Sequence, residues 1–189
     1  MRRLILAFDR WMVRTAGMIT FRNDPDCLLR LEVQIAPRDI TYDGLTIRKG
    51  EKILAFHIWN EHLPPLPQVD PDLRWAFATY RLFTGSLKPM ADFIQQRENL
   101  AKIKVLKGKT TLLPPPARDG RNPLHSLGFS VRNYNSPLGK FGNFWEHFYL
   151  YWLIWAFNPG SVREKSLFDI SMTEIWIPLQ DFLNRYRSN

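Results

Sequence analysis

Leu28-Leu29-Arg30-Leu31-Glu32-Val33-Gln34-Ile35-Ala36 is the stretch from which the fold class is read. Leu29, Leu31, Val33 and Ile35 alternate with Arg30, Glu32 and Gln34. Successive strand side chains point to opposite faces, so the segment is a strand with one face on a core and one toward water, as in an antiparallel sheet. Asp43-Gly44 then marks a turn, 45–48 a short strand and Lys49-Gly50-Glu51 another turn. Residues 53–59 are apolar on both faces, which places them centrally in the sheet.

A proline-rich loop (Pro64, Pro65, Pro67, Pro71) leads to a helix over 72–83, with Asp70 as its cap and Leu73, Trp75, Phe77 and Tyr80 inward. Gly85 is expected to break it and Ser86 to cap a second helix over 86–102 that buries Met90, Phe93 and Ile94. A strand and turn around Gly108, a strand over 128–132, an aromatic helix within 139–157, a strand over 172–177 and a helix over Leu179–Tyr186 complete the chain. Strands and helices mix without regular βαβ alternation. The expected class is therefore α+β: a small mixed, mostly antiparallel sheet packed by several helices, with an extra N-terminal amphipathic helix. The division reads as 1–17 for that basic helix and 28–187 for a single domain.

Length and composition bound the rest. The 189 residues, 45% hydrophobic and 14% aromatic, suffice for a packed core and exclude a disordered chain. Cys27 stands alone, which excludes a disulfide scaffold. The start lacks an uninterrupted apolar stretch of signal-peptide length, and 148–157 is too short to span a bilayer, which needs about 20 residues. A cytoplasmic protein is expected, peripheral on the inner face of the membrane if it meets lipid at all.

The net charge of +8 suits an anionic surface. Residues 2–16, wound as a helix, put Leu4, Ile5, Phe8, Trp11 and Met12 on one face, with Arg3, Arg10 and Arg14 in a stripe beside it. Such a helix either docks on its own domain with solvated arginines, or meets lipid phosphates while Phe8 and Trp11 insert. A second basic cluster comprises Lys102, Lys104, Lys107 and Lys109. Nine aromatics between Phe141 and Phe157 cover every side of the expected aromatic helix, as in a buried helix or one wet at its Tyr and Trp ends. Nucleic acid is disfavoured, because no recognised binding motif accompanies these aromatics.

Three stretches resemble the YkoP-like family, a bacterial domain of which little is characterised. They are Arg48-Lys49-Gly50-Glu51-Lys52-Ile53 followed by His57-Ile58-Trp59-Asn60; Gly108-Lys109-Thr110-Thr111-Leu112 with Leu127-Gly128-Phe129-Ser130-Val131; and Glu174-Ile175-Trp176-Ile177-Pro178 with Leu183 and Arg185-Tyr186. The resemblance covers roughly 29–187 and leaves the N-terminal helix outside. Such domains also occur fused behind polysaccharide deacetylases, so the resemblance implies a setting in cell-envelope glycan or lipid-linked sugar metabolism. The deacetylase motifs themselves, an aspartate pair and His-x-x-x-His, are not in this sequence.

Candidate chemistry gathers where the central strand ends. His57 is a base near neutral pH, and Asn60 is suited to orient a substrate oxygen; Glu61 and His62 follow at the turn. The structural alternative is a core histidine and a capped turn. His57, His62 and His147 with Glu61 and Glu146 make enough ligands for zinc, but their spacing imposes no metal geometry, so neither metal nor cofactor is expected. Gly139-Lys140-Phe141-Gly142 offers Lys140 and helix-start amides to an anion. Three functions follow: an accessory protein binding a membrane surface or a lipid-linked amphiphile, a small hydrolase or transferase using the His57 cluster, and a module that binds a protein partner or a second copy.

Overall fold

A computed structural model describes residues 15, 17–65, 73–110, 123–134 and 173–188, the side chain of Asn60 excepted. The strands are β1 (Leu29–Ile35), β2 (Ile40–Tyr42), β3 (Leu45–Ile47), β4 (Lys52–Ile58), β5 (Val105–Thr110), β6 (Ser130–Asn133) and β7 (Thr173–Pro178). The helices are α1 (Leu73–Gln95), α2 (Glu98–Ala101), α3 (Pro123–Ser126) and α4 (Leu179–Tyr186), with a 3-10 turn at Asn60–His62.

Five strands form one sheet in the order β1-β4-β5-β7-β6, and β2 and β3 make a separate hairpin. Every neighbouring pair in the sheet is antiparallel except β4 and β5. That parallel pair is joined through α1 and α2, as a parallel connection requires. The expected mixed, mostly antiparallel α+β sheet is what the chain forms, with β4 inside it.

The two faces of the sheet differ. Leu29 and Leu31, Leu54 and Phe56, Leu106, and Ile175 and Ile177 pack under α1 and α4 against Leu87, Met90, Ile94 and Phe182. Gly108 belongs to this face, where a Cβ would lie 2.4 Å from the Phe56 ring. On the opposite face, the β2–β3 hairpin covers one end through Tyr42 and Ile47, which pack with Ile53, Val105 and Trp176. Among the described residues nothing further covers that face, which carries the polar side chains of the alternation.

Four local expectations are corrected. Helix α1 runs unbroken through Gly85 and Pro89, because burial of Ser86, Leu87, Met90, Ala91 and Ile94 outweighs the local propensities. Ser86 is not a cap: its hydroxyl donates to Leu82 O at 2.7 Å and accepts from Leu28 N at 2.8 Å, tying the helix to the start of β1. Strand β5 passes straight through Gly108 without a turn. Of the side chains expected inward on the first half of α1, only Trp75 is buried; Leu73, Phe77 and Tyr80 are 77%, 71% and 39% exposed. The helix begins beyond the edge of the sheet core, so its inward face there is the row of Trp75, Leu82 and Phe83.

The packing begins upstream of residue 28. Ile19 exchanges backbone hydrogen bonds with Leu31, and Phe21 packs on Phe93. The N-terminal helix (Thr15 apart), Asp70, the aromatic helix and Lys140 lie outside the described residues, as do the side chains of Arg3, Phe8, Arg10, Trp11 and Arg14.

Candidate functional site: a charged cleft on the open sheet face

Alternation along each strand sends one polar residue after another to the open face. Strand β1 contributes Glu32 and Gln34, β5 contributes Lys107 and Lys109, β6 contributes Arg132, and β7 contributes Glu174. Register brings them together. Lys109 is directly opposite Glu174, and Arg132 faces Glu174 from the other side. The residues floor a cleft of about 570 Å³ walled by Pro37, Arg38 and Ile40, with Asn133 and Tyr134 at its β6 end.

Glu174 is the hub and is buried. Its Oε2 accepts from Arg132 Nε at 2.6 Å and Nη2 at 2.5 Å, and Lys107 Nζ lies 4.0 Å from Oε1. Arg132 is positioned from beneath, its guanidinium 4.3 Å over the Tyr42 ring, while Tyr42 packs on Trp176 with the rings tilted and their centroids 4.7 Å apart. The hairpin therefore aims the arginine. Burial, with some help from Glu174, pushes the Tyr42 hydroxyl up to about 12, so it stays neutral.

Lys107 is only 12% exposed, and burial pulls its ammonium below the usual lysine range despite Glu174 nearby. Lys109 donates to the Tyr134 hydroxyl at 2.5 Å and lies over its ring at 3.8 Å. Across the floor, Glu32 Oε2 accepts from Gln34 Nε2 at 2.6 Å and His57 Nε2 at 2.7 Å. The His57 hydrogen bond, ahead of the opposing effect of burial, holds this carboxyl below the usual range. The lining thus carries four cations (Arg38, Lys107, Lys109, Arg132) against two carboxylates (Glu32, Glu174).

The sequence-derived cluster splits around this cleft. His57 sits on the open face and reaches the lining through Glu32. His62 turns away: its Nδ1 donates to Cys27 O at 2.7 Å, and its ring stacks on Trp59 at 3.7 Å. Glu61 accepts from Trp59 Nε1 at 3.3 Å, and Arg30 covers the other ring contact of Trp59 at 3.5 Å. Asn60 lies in the 3-10 turn between these groups. The described contacts of His57 and His62 belong to two different networks.

Sequence reasoning missed the hub. Glu174 lies within Thr173-Glu174-Ile175-Trp176-Ile177, and a carboxylate amid strand apolars is itself a signal of a buried partner. Lys107 and Lys109 were visible as a basic cluster, but a turn at Gly108 would have hidden that they share one strand face.

Among the described residues no three His, Cys, Asp or Glu side chains gather to hold a metal ion, and no helix is long and apolar enough to cross a membrane. Fold and cleft together define an α+β domain with a polar cleft on the sheet face opposite the helices. The chain belongs to the YkoP domain family, whose model matches residues 9–186. That match reaches further upstream than the resemblance read from the sequence. No curated protein and no solved structure matches the chain.

Proposed function

We propose that the protein is an accessory binding protein whose open-face cleft holds an anionic, hydroxyl-bearing ligand, of the class of a phosphorylated or carboxylated sugar. One observation carries this: among the described residues, four cations and two carboxylates line a single cleft of about 570 Å³. The excess positive charge meets the anion, and Lys107 adds a partly desolvated ammonium whose Coulomb energy is little screened. Glu32, Gln34, Asn133 and Tyr134 supply hydrogen-bonding groups of the kind that orient hydroxyls. The family resemblance suggests cell-envelope glycan or lipid metabolism as the setting, and the lone Cys27 and the basic N-terminal sequence favour a cytoplasmic, membrane-peripheral location.

The test is calorimetric titration with glucose 1-phosphate, glucose and farnesyl phosphate. Glucose 1-phosphate is expected to bind, and Lys107→Met to weaken it roughly tenfold or more. Glu174→Gln is expected to tighten it, because a competing carboxylate is removed from Arg132 and Lys107. Opposite signs from two neighbouring substitutions separate binding from misfolding. Equal affinity for glucose, or no heat with either phosphate, overturns the proposal; preference for farnesyl phosphate moves the ligand to the lipid-linked class.

A hydrolase or transferase is the second reading, favoured by the 2.7 Å His57–Glu32 pair beside the lining. A carboxylate on Nε2 fixes the orientation of the imidazole and the nitrogen that carries its proton. His57→Asn leaves ligand affinity within about twofold in the binding reading and abolishes turnover in the enzymatic one.

A further inference from the structure

Helix α1 presents a second surface, on the side of the sheet away from the cleft. Leu73, Phe77 and Tyr80 recur at helical spacing along one row and are 77%, 71% and 39% exposed. Arg74, Arg81 and Lys88 are exposed beside them, within the arc next to that row. From Leu73 to Ala91 the helix carries no Asp or Glu, and the first acid is Asp92. A solvated helix face ordinarily mixes charges of both signs and keeps large apolar groups inward. Here two large aromatics and a leucine are exposed on a stretch of helix whose charged residues are all cations.

We infer that this exposed N-terminal half of α1 is a docking surface for an anionic lipid bilayer. Charge complementarity selects that occupant: arginines and a lysine flanking a Leu/Phe/Tyr row match lipid phosphates above an acyl boundary. Phe77 and Leu73 insert, Tyr80 sits at the headgroup level, and Arg74, Arg81 and Lys88 pair with phosphates. Further along the helix the same stripe turns into the core through Leu87, Ala91 and Ile94, so the exposed row is its N-terminal continuation and docking needs no rearrangement of that core. The inference is independent of the ligand in the cleft, since it uses none of the cleft residues.

The experiment is co-sedimentation of the full chain with phosphatidylcholine vesicles, with and without phosphatidylglycerol, at low and high salt. Wild type is expected to bind the anionic vesicles, and salt to weaken the binding. Leu73→Ser with Phe77→Ser is expected to weaken it roughly tenfold or more, and Arg74→Glu with Arg81→Glu to remove the preference for phosphatidylglycerol. Thermal unfolding of each variant should match wild type, because the altered side chains lie outside the core. Unchanged vesicle binding in both double variants overturns the inference. So does binding lost on deletion of residues 1–16 while the α1 variants bind normally, or an α1 variant that changes the oligomeric state and not the lipid binding. Glucose 1-phosphate titration of the same variants should be unaffected, which keeps a failure here distinct from a failure of the cleft.

Discussion

At the scale of single residues, Lys107 shows what the cleft costs. An ammonium on a mostly buried strand position loses hydration, and its carboxylate neighbour at 4.0 Å is already held by Arg132. A folded-state pKa below the unfolded value of 10.5 means that the unfolded chain binds more protons over the window between them. Stability therefore rises with pH through that window, and the contribution of Lys107 below it opposes folding. Lys107→Met should leave the urea midpoint unchanged or raised while it weakens phosphate binding; a clearly lowered midpoint would make the lysine a structural residue. Gly108, its neighbour, behaves oppositely. A Cβ there would lie 2.4 Å from Phe56, so Gly108→Ala should destabilise by about 1–3 kcal/mol, read in the same urea titrations. Loss of under half a kcal/mol would show that the Phe56 ring yields easily.

At the scale of elements, the strand pairings determine which charges meet. Glu32 on β1 takes hydrogen bonds from Gln34 beside it and from His57 across on β4. Its depressed pKa makes its contribution to stability present above the unfolded value near 4.5 and lost as pH falls through the lower folded value. Glu32→Gln should therefore be less stable than wild type near neutral pH, and the two should converge in acid. A difference that persists unchanged below the folded pKa would contradict the ionic account. Strand β1 was legible from its own alternation, and α4 from an apolar row between chain signals that agree with one another. The length of α1 was not, because Gly85 and Ser86 carry local break and cap signals. Only the tertiary bond from Leu28 N to Ser86 Oγ shows what the serine is for. Removing it in Ser86→Ala leaves a buried N–H unpaired and should cost about 1–3 kcal/mol.

At the scale of the whole molecule, the sheet separates two surfaces. The cleft lies on the sheet face that carries the hairpin, and the exposed Leu73–Phe77–Tyr80 row belongs to the helix layer on the other face. A protein docked through α1 thus turns its cleft to the aqueous phase, which suits a water-soluble ligand better than one anchored in the same bilayer. Ligand and vesicle binding should accordingly be independent, with glucose 1-phosphate leaving vesicle affinity within about twofold. The class of fold could be read from the order of elements, and the polar face from Arg30, Glu32 and Gln34. The site could not, because Glu32, Lys107, Arg132 and Glu174 are distant in sequence and meet only through the β1-β4-β5-β7-β6 order. Charge attraction to a surface was expected from the N-terminal helix; the described residues offer a second basic-apolar helix face in α1.

Backbone amide shifts recorded by NMR during titration with glucose 1-phosphate test the central claim most directly. The account predicts saturable shifts at 32–34, 105–110 and 130–134, centred on Lys107 and Arg132, with saturation moved roughly tenfold or more higher in ligand by Lys107→Met. Shifts confined to 59–62, around His62 and Trp59, or none at all along β5 and β6, would contradict it.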